Sequence, residues 1–553
     1  MAPQSRSCRL EEVGTVNKLS HAGSLAPLLL AALAPGVDPP CQVAELTAAD
    51  GAAGDQLGVA VSLSGDTALA GAFGADVEGF PGAGAVYVFE RSGFTWTQTA
   101  KLTARDPHGA DLLGGAVGLA GATAIVGADG LNPGGAAYVF ERTGAGWMQT
   151  AQLIGGDTAD GDFFGNAVAI DGDTVLIGAR GDDDAGSRSG SAYVFERAAT
   201  GWVQTQKLAP NPAAANDAFG EAVALRGDRA LIGASRSGAS ATGSAFVFER
   251  TALGWAQAAE LTASDGAPID DFGSAVALGD GVALVGAQLD VSSGIGSAYV
   301  FELTPAGWVE TAVLEPPPSP PGGPEFEEFG ASVAVDGELA LVGAPEPGLG
   351  FKQPGSGSAY LYRRTAAGWE LVEKLEAGDG ALHDQFGFAV AIDGTTALVG
   401  ARLHDDLGSS SGSAYVFAAN PGLALFTCPD HLSLAQGGTA EHRLAAPSHP
   451  GAPYLLLGSA SGTTPGTPLD LVVVPLNAPD VYLDFTLVQA NQPPFASTLG
   501  TLDAAGGATA SVTLPPGLDP AFAGLAVHHA FAVFGPAGSA VLASNPALLT
   551  LVP

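Results

Sequence analysis

Phe164-Gly165-Asn166-Ala167-Val168-Ala169-Ile170-Asp171-Gly172-Asp173-Thr174-Val175-Leu176-Ile177-Gly178-Ala179 reads as two short strands joined by a tight Asp-Gly-Asp turn. Its frame, an aromatic-or-leucine/Gly pair followed 13 residues after the glycine by Gly-Ala, occurs seven times. The first pairs are Leu57-Gly58, Leu113-Gly114, Phe164-Gly165, Phe219-Gly220, Phe272-Gly273, Phe329-Gly330 and Phe386-Gly387. The second are Gly71-Ala72, Gly127-Ala128, Gly178-Ala179, Gly233-Ala234, Gly286-Ala287, Gly343-Ala344 and Gly400-Ala401. Successive Phe-Gly glycines stand 51 to 57 residues apart, room for four short strands and their turns, so the period predicts a propeller or solenoid array.

Outward from this frame the repeat continues. An aromatic strand of the type Ala-Tyr-Val-Phe-Glu-Arg follows each Gly-Ala, with first aromatics Tyr87, Tyr138, Tyr193, Phe246, Tyr299, Tyr360 and Tyr415. A Trp comes nine residues after each of the first six, and a Leu six residues after each Trp, as in Trp96 and Leu102. Six is even, so in a regular strand the Trp and Leu are expected on one face, filling the gap between sheets.

The seventh repeat ends at Tyr415-Val416-Phe417 with no Trp strand after it. Gln42-Val43-Ala44-Glu45-Leu46 carries its Leu 12 residues before Gly58, the interval that separates Leu102 from Gly114. This segment is expected to complete the last blade and leave no long sheet edge open. The expected fold is all-β: a seven-bladed β-propeller whose N-terminal strand closes the last blade.

The pattern resembles the FG-GAP repeat, the blade of integrin alpha-subunit heads and of secreted bacterial propellers, over about residues 41–420. The resemblance implies a recognition or adhesion module, secreted or at the cell surface. In the integrin version, a calcium loop of the Asp-x-Asp-x-Asp-Gly type joins strands one and two. Here the joint is a tight turn such as Ser64-Gly65-Asp66 or Asp393-Gly394-Thr395. So short a turn lacks the six to eight oxygens that calcium needs, so calcium at those turns is not carried over from the family.

Composition agrees with an ordered β protein. Gly and Pro, 79 and 38 residues, make up about a fifth of the 553, below the roughly 25–30% typical of disorder. The 57 acidic against 21 basic residues give a net charge of −36, which argues against nucleic acid and anionic membranes as partners. Residues 1–40 stand apart: the run Ser24 to Ala34 after Lys18 resembles a secretory signal and is too short to span a bilayer. Two cysteines, Cys41 and Cys428, flank the expected closure, where either a disulfide or two separate buried thiols is compatible with the spacing. From 421 to 553 the repeat gives way to alternating apolar stretches between Gly/Pro/Asn turns, expected to form a β-sandwich-like module.

Loop lengths suggest where a ligand would bind. The intervals from strand one to two and from three to four are constant, whereas the two-three and four-one connections vary, and variable loops on a rigid scaffold are the usual binding face. That face carries a carboxylate three residues before each Phe-Gly glycine: Asp55, Asp111, Asp162, Asp217, Asp270, Glu327 and Asp384. A second lies eight before it in five repeats: Asp50, Asp106, Asp157, Asp265 and Asp379. Two roles are open: capping of the loop's own amides, or a ring of carboxylates holding a divalent cation such as calcium or a cationic ligand. Glu327 in place of Asp fits capping poorly.

The sequence shows no catalytic constellation and no cofactor-binding loop. His404 lies in a variable-face loop without an evident acid partner, and Gly408-Ser409-Ser410-Ser411-Gly412 lacks the strand-to-helix turn of a nucleophile elbow. Arg180-Gly181-Asp182 sits in a two-three loop expected to be exposed. The chain is therefore expected to be a non-enzymatic, monomeric recognition module for an extracellular protein or glycan, with no membrane span. The alternatives are a polysaccharide-acting propeller enzyme and a structural envelope protein.

Overall fold

In the computed structural model the described residues run from 42 to 419, apart from 93–94, 239–240, 290–294, 318–326 and 346–354; beyond 419 they comprise strand backbone. The expected leader, Cys41 and the side chain of Cys428 lie outside them, and with them the question of a disulfide.

Seven four-stranded antiparallel sheets account for residues 42–418. The first strand of the chain, β1 (Gln42–Leu46), is not part of the first blade. That blade is β2 (Val61–Ser64), β3 (Thr67–Ala72), β4 (Ala85–Ser92) and β5 (Thr95–Leu102), hydrogen-bonded in that order. Blades 2 to 6 repeat the meander. Blade 7 consists of Phe386–Asp393, Thr396–Ala401 and Ser413–Ala418, with β1 added as its outer strand. β1 runs antiparallel to Ser413–Ala418, with Leu46 opposite Ala414 and Glu45 opposite Tyr415. First strands of neighbouring blades touch one another; β2 meets both Ala116–Ala120 of blade 2 and Phe386–Asp393 of blade 7.

The two glycines of the repeat hold neighbouring blades together. Each Phe-Gly glycine has φ between +87° and +98°, left-handed backbone that Gly adopts without steric cost. A Cβ on Gly71 would lie 2.0 Å from the carbonyl oxygen of Gly114 in the next blade, and one on Gly400 would lie 2.0 Å from that of Gly58. The same approach recurs at every blade junction, so the fixed register of the two pairs is the register of blade on blade.

Between the sheets the side chains divide by face, and here the even spacing of Trp and Leu misleads. Trp96 packs with Tyr87 and Phe89 in the gap toward blade 7, whereas Leu102 packs with Val86 and Val88 in the gap toward blade 2. A β-bulge is the cause: β4 pairs Val88 with Ala100 and Phe89 with Gln98, leaving Thr99 as an extra residue that reverses the alternation. The bulge recurs in blades 2 to 6. One outer strand thereby serves two gaps.

The constant-loop face is occupied by ion pairs. Arginines ending the third strands reach back to the third-strand glutamate of the preceding blade: Arg142 to Glu90 at 2.8 Å, Arg197 to Glu141 at 2.5 Å and Arg364 to Glu302 at 2.6 Å.

Beyond residue 423 the backbone forms further strands. Ala424–Cys428, Gly438–Ala445, Gly507–Leu514 and Phe495–Ala496 make one sheet. His431–Ser433, Ala547–Val552, Ala526–Phe534, Pro453–Ser459 and Leu499–Thr501 line up in another, with Ala540–Ala543 beside Ala526–Phe534. Among the described residues no helix is long and apolar enough to cross a membrane.

Candidate functional site

All seven loop carboxylates are buried, at 1–6% exposure. Six accept the backbone amide three residues earlier: Asp55 from Ala52, Asp111 from His108, Asp162 from Ala159, Asp217 from Ala214, Asp270 from Ala267 and Asp384 from Ala381. These bonds hold each four-one loop in a compact turn.

In three blades the second acid answers a different need, the hydroxyl of the buried third-strand Tyr, whereas in blade 1 Asp50 accepts from Lys101. Tyr193 donates to Asp157 at 2.9 Å, Tyr299 to Asp265 at 2.9 Å and Tyr415 to Asp379 at 3.0 Å. A buried phenol requires such an acceptor. Blade 4 has Phe246 in place of Tyr and lacks the second acid. Blade 6 keeps Tyr360 but lacks the acid, and there Tyr360 donates to Glu327 at 2.7 Å. The extra methylene of Glu327 is thus accounted for by its reach to the phenol.

Two blades build larger polar clusters on these elements. In blade 3 the ammonium of Lys207, opposite Tyr193, lies 2.8 Å from Asp157, 2.7 Å from Asp182 and 2.6 Å from Asp184. Burial works against the charged lysine, but its bonds to the three acids outweigh this and raise its pKa well above the ordinary range. Replacing Lys207 with Met is expected to cost roughly 2–4 kcal/mol, because buried Asp182 loses its counter-ion. The midpoint of urea unfolding measures this; an unchanged midpoint would show that the cluster is held by the tyrosine and loop amides alone.

Blade 7 has a different set at the corresponding positions. Glu45 stands where Lys207 does, Asp379 matches Asp157, His404 matches Asp182 and Asp406 matches Asp184. Single ligand atoms of Glu45, Asp379, His404 and Asp406 all lie within 4.8 Å of one another, the one such group of metal-capable side chains among the described residues. Contrary to the expectation for His404, the imidazole has fixed acid partners: Nδ1 is 2.9 Å from Asp384, and Nε2 is 3.2 Å from Asp406 and 3.9 Å from Glu45. Burial and the Asp379 charge push the Glu45 carboxyl up to about 7, while the bond to Asp384 raises His404 to about 9. Of the seven loop carboxylates, only Asp384 belongs to this group's surroundings.

The sequence profile of the FG-GAP repeat matches residues 41–89, 96–140, 147–195, 202–248, 255–301, 308–362 and 369–417. The chain belongs to the FG-GAP repeat family. Each FG-GAP segment begins at an outer strand and ends in the third strand of the next blade, so the first one starts beside β1. No curated protein matches the chain. Among solved structures, a chain of a mitotic checkpoint complex is similar at 12% identity and TM-score 0.42, over 72% of this chain and 99% of that one. PorZ, a surface component of the type-IX secretion system of Porphyromonas gingivalis, is similar at 12% identity and TM-score 0.42, over 92% of this chain. The chain spans 61% of the PorZ chain. At that level neither likeness informs function.

On the variable-loop face of the FG-GAP ring, a pocket of about 280 Å³ opens between blades 3 and 4, lined by Phe163, Arg180, Arg188, Asn216, Glu221 and Arg236 among others. None of its three arginines lies within ion-pair distance of a carboxylate among the described residues; Arg180 lies over the Phe163 ring, 5.4 Å from its centroid. The pocket on the opposite, constant-loop face also holds three arginines, but each is paired: Arg226 with Asp280, Arg229 with Glu249 and Arg250 with Glu196.

Two motifs read differently in place. Asp182 of Arg180-Gly181-Asp182 is 2% exposed and occupied by Tyr193 and Lys207, so the tripeptide is not displayed as a flexible recognition tip. The Ser409–Ser411 loop is stitched to the loop before blade 1, the Ser409 and Ser410 carbonyls accepting from the Gly54 and Gln56 amides, and within its own loop Ser411 Oγ donates to the His404 carbonyl. In the sequence Arg180 stood out only within its tripeptide, and Arg188 and Arg236 carried no signal beyond their location in successive two-three loops.

Proposed function

We propose that this FG-GAP propeller is a non-enzymatic recognition module, secreted or cell-surface, that takes an extracellular glycan or protein bearing an acidic group on its variable-loop face. The carrying observation is the trio of unpaired arginines, Arg180, Arg188 and Arg236, around one pocket of a chain with net charge −36. Guanidinium groups that make no close ion pair, with Glu221 on the pocket wall and Asp129 and Asp271 only at longer electrostatic range, suit a carboxylate- or sulfate-bearing ligand, which they bind by bidentate, charge-assisted bonds. The leader, the absence of a resident cofactor, a monomeric state and a sandwich-type unit beyond residue 421 belong to the same reading.

The test is binding of the full chain to an array of neutral, uronic-acid and sulfated glycans and of surface proteins, with and without chelator. Acidic members are expected to be retained. The triple variant Arg180→Ala, Arg188→Ala, Arg236→Ala is expected to weaken them about 100-fold or more, since a charge-assisted bond contributes roughly 1.5–3 kcal/mol. Equal retention by the triple variant would overturn the assignment of the pocket.

A second reading, an enzyme acting on polysaccharide, has one observation in its favour: Glu45, Asp379, Asp406, His404 and Tyr415 converge in blade 7. Its mark is product released from the array rather than ligand retained on it.

A further inference from the structure

We infer that Glu45, Asp379, His404 and Asp406 form a site for a first-row divalent cation of the zinc or manganese type, which ties the N-terminal strand β1 into blade 7. The inference is independent of ligand recognition and rests on three observations. The first is geometric. Four ligand atoms within 4.8 Å of one another need only small movements to surround such an ion, whose tetrahedral ligands at about 2.0–2.2 Å stand roughly 3.4 Å apart.

The second observation is the state of His404. Its side chain is 5% exposed and Nε2 makes no hydrogen bond, although it points among the carboxylates of Glu45 and Asp406. Nδ1 is fixed on Asp384 at 2.9 Å. A carboxylate that orients one ring nitrogen while the other faces anionic oxygens is the outer-shell arrangement of metal-ligating histidines. A nitrogen ligand also separates this site from calcium, which prefers six to eight oxygens.

The third is the comparison of blades 3 and 7. In blade 3 the acids at these positions close around the ammonium of Lys207. Blade 7 keeps two of the acids as Asp379 and Asp406, and Tyr415 donates to Asp379 as Tyr193 does to Asp157. The lysine, however, has become Glu45, so the place where blade 3 carries its own positive charge is faced in blade 7 by three carboxylates and an imidazole. A bound cation meets all three carboxylates, more than the single positive charge of a protonated His404 balances. Because Glu45 belongs to β1 while the other ligands come from the far end of the ring sequence, the ion would join the two ends of the propeller.

The experiment uses the full chain after chelator treatment, titrated separately with Zn²⁺, Mn²⁺ and Ca²⁺, with stoichiometry read by calorimetry and Tm by thermal melting. Zn²⁺ or Mn²⁺ is expected to bind at the site with one equivalent and to raise Tm as its concentration rises; Ca²⁺ is expected to do so far less. His404→Ala should lose that equivalent, with affinity falling at least 100-fold. Glu45→Lys, which recreates the blade 3 arrangement, should fold, lose the same equivalent and hold a Tm that no longer responds to metal. If the unsubstituted chain takes up no Zn²⁺ or Mn²⁺, or if Glu45→Lys binds as many equivalents as the parent, the inference fails and the His404 imidazolium is the cation of the cluster.

Discussion

Gly400→Ala is expected to prevent the ring from closing, at a cost of at least about 4 kcal/mol. The added Cβ would lie 2.0 Å from the Gly58 carbonyl oxygen and 2.9 Å from its carbon. Both are backbone atoms, so no side chain can move aside. Relief requires blades 7 and 1 to separate, which opens the apolar gap in which Leu57, Tyr87 and Leu398 are packed. The control is Gly172→Ala at a turn tip, where φ is +56° and a Cβ meets nothing within 4 Å. It should cost only about 1–2 kcal/mol, the strain of left-handed backbone at alanine. Urea midpoints of the two variants make the comparison, and equal midpoints would mean that the blades are not in backbone contact.

The second large effect is expected on removing β1. A chain beginning at Thr47 leaves Ser413–Ala418 as an open sheet edge and takes away Leu46, which is 1% exposed in the first gap. Loss of a buried leucine alone costs roughly 2–5 kcal/mol, and an unpaired flat edge invites pairing with other chains. The truncated protein should elute as aggregate on size exclusion and lose its cooperative melt. Leu46→Asp, which keeps the strand but puts a charge in the gap, should lower Tm strongly without the same aggregation. A monomeric truncation with parental Tm would place the closing interaction elsewhere.

The fold was legible because the Phe-Gly and Gly-Ala pairs mark backbone contacts that admit no side chain, and such contacts recur at constant spacing. Closure was legible too, since Leu46 stands at the same interval from Gly58 as Leu102 from Gly114. The bulge was not. A spacing of six implies one face, and nothing in Trp96 to Leu102 announces that Thr99 stands outside the ladder. At the loop carboxylates, Glu327 looked like a departure from capping until its position against Tyr360 accounted for the longer side chain. The blade 7 cluster was hidden for another reason: Glu45 meets His404 only because β1 pairs with Ser413–Ala418, so neither residue has a local signature of the other. His404 and Asp182 occupy one position in different repeats, and aligning blades rather than scanning for motifs is what brings them into register.

Because each FG-GAP segment straddles two blades, as 202–248 spans the outer strand Gly201–Leu208 and the third strand Ser244–Thr251, the unit of inheritance differs from the unit of packing. Duplicating or deleting one such unit changes the number of blades by one yet leaves both chain ends able to meet. Opening the chain ahead of any Trp-bearing strand, and joining the old ends, would move the joint to another blade with its chemistry unchanged. The number of blades is therefore set by how many such segments the chain carries, and the meeting of its ends by the offset between segment and blade.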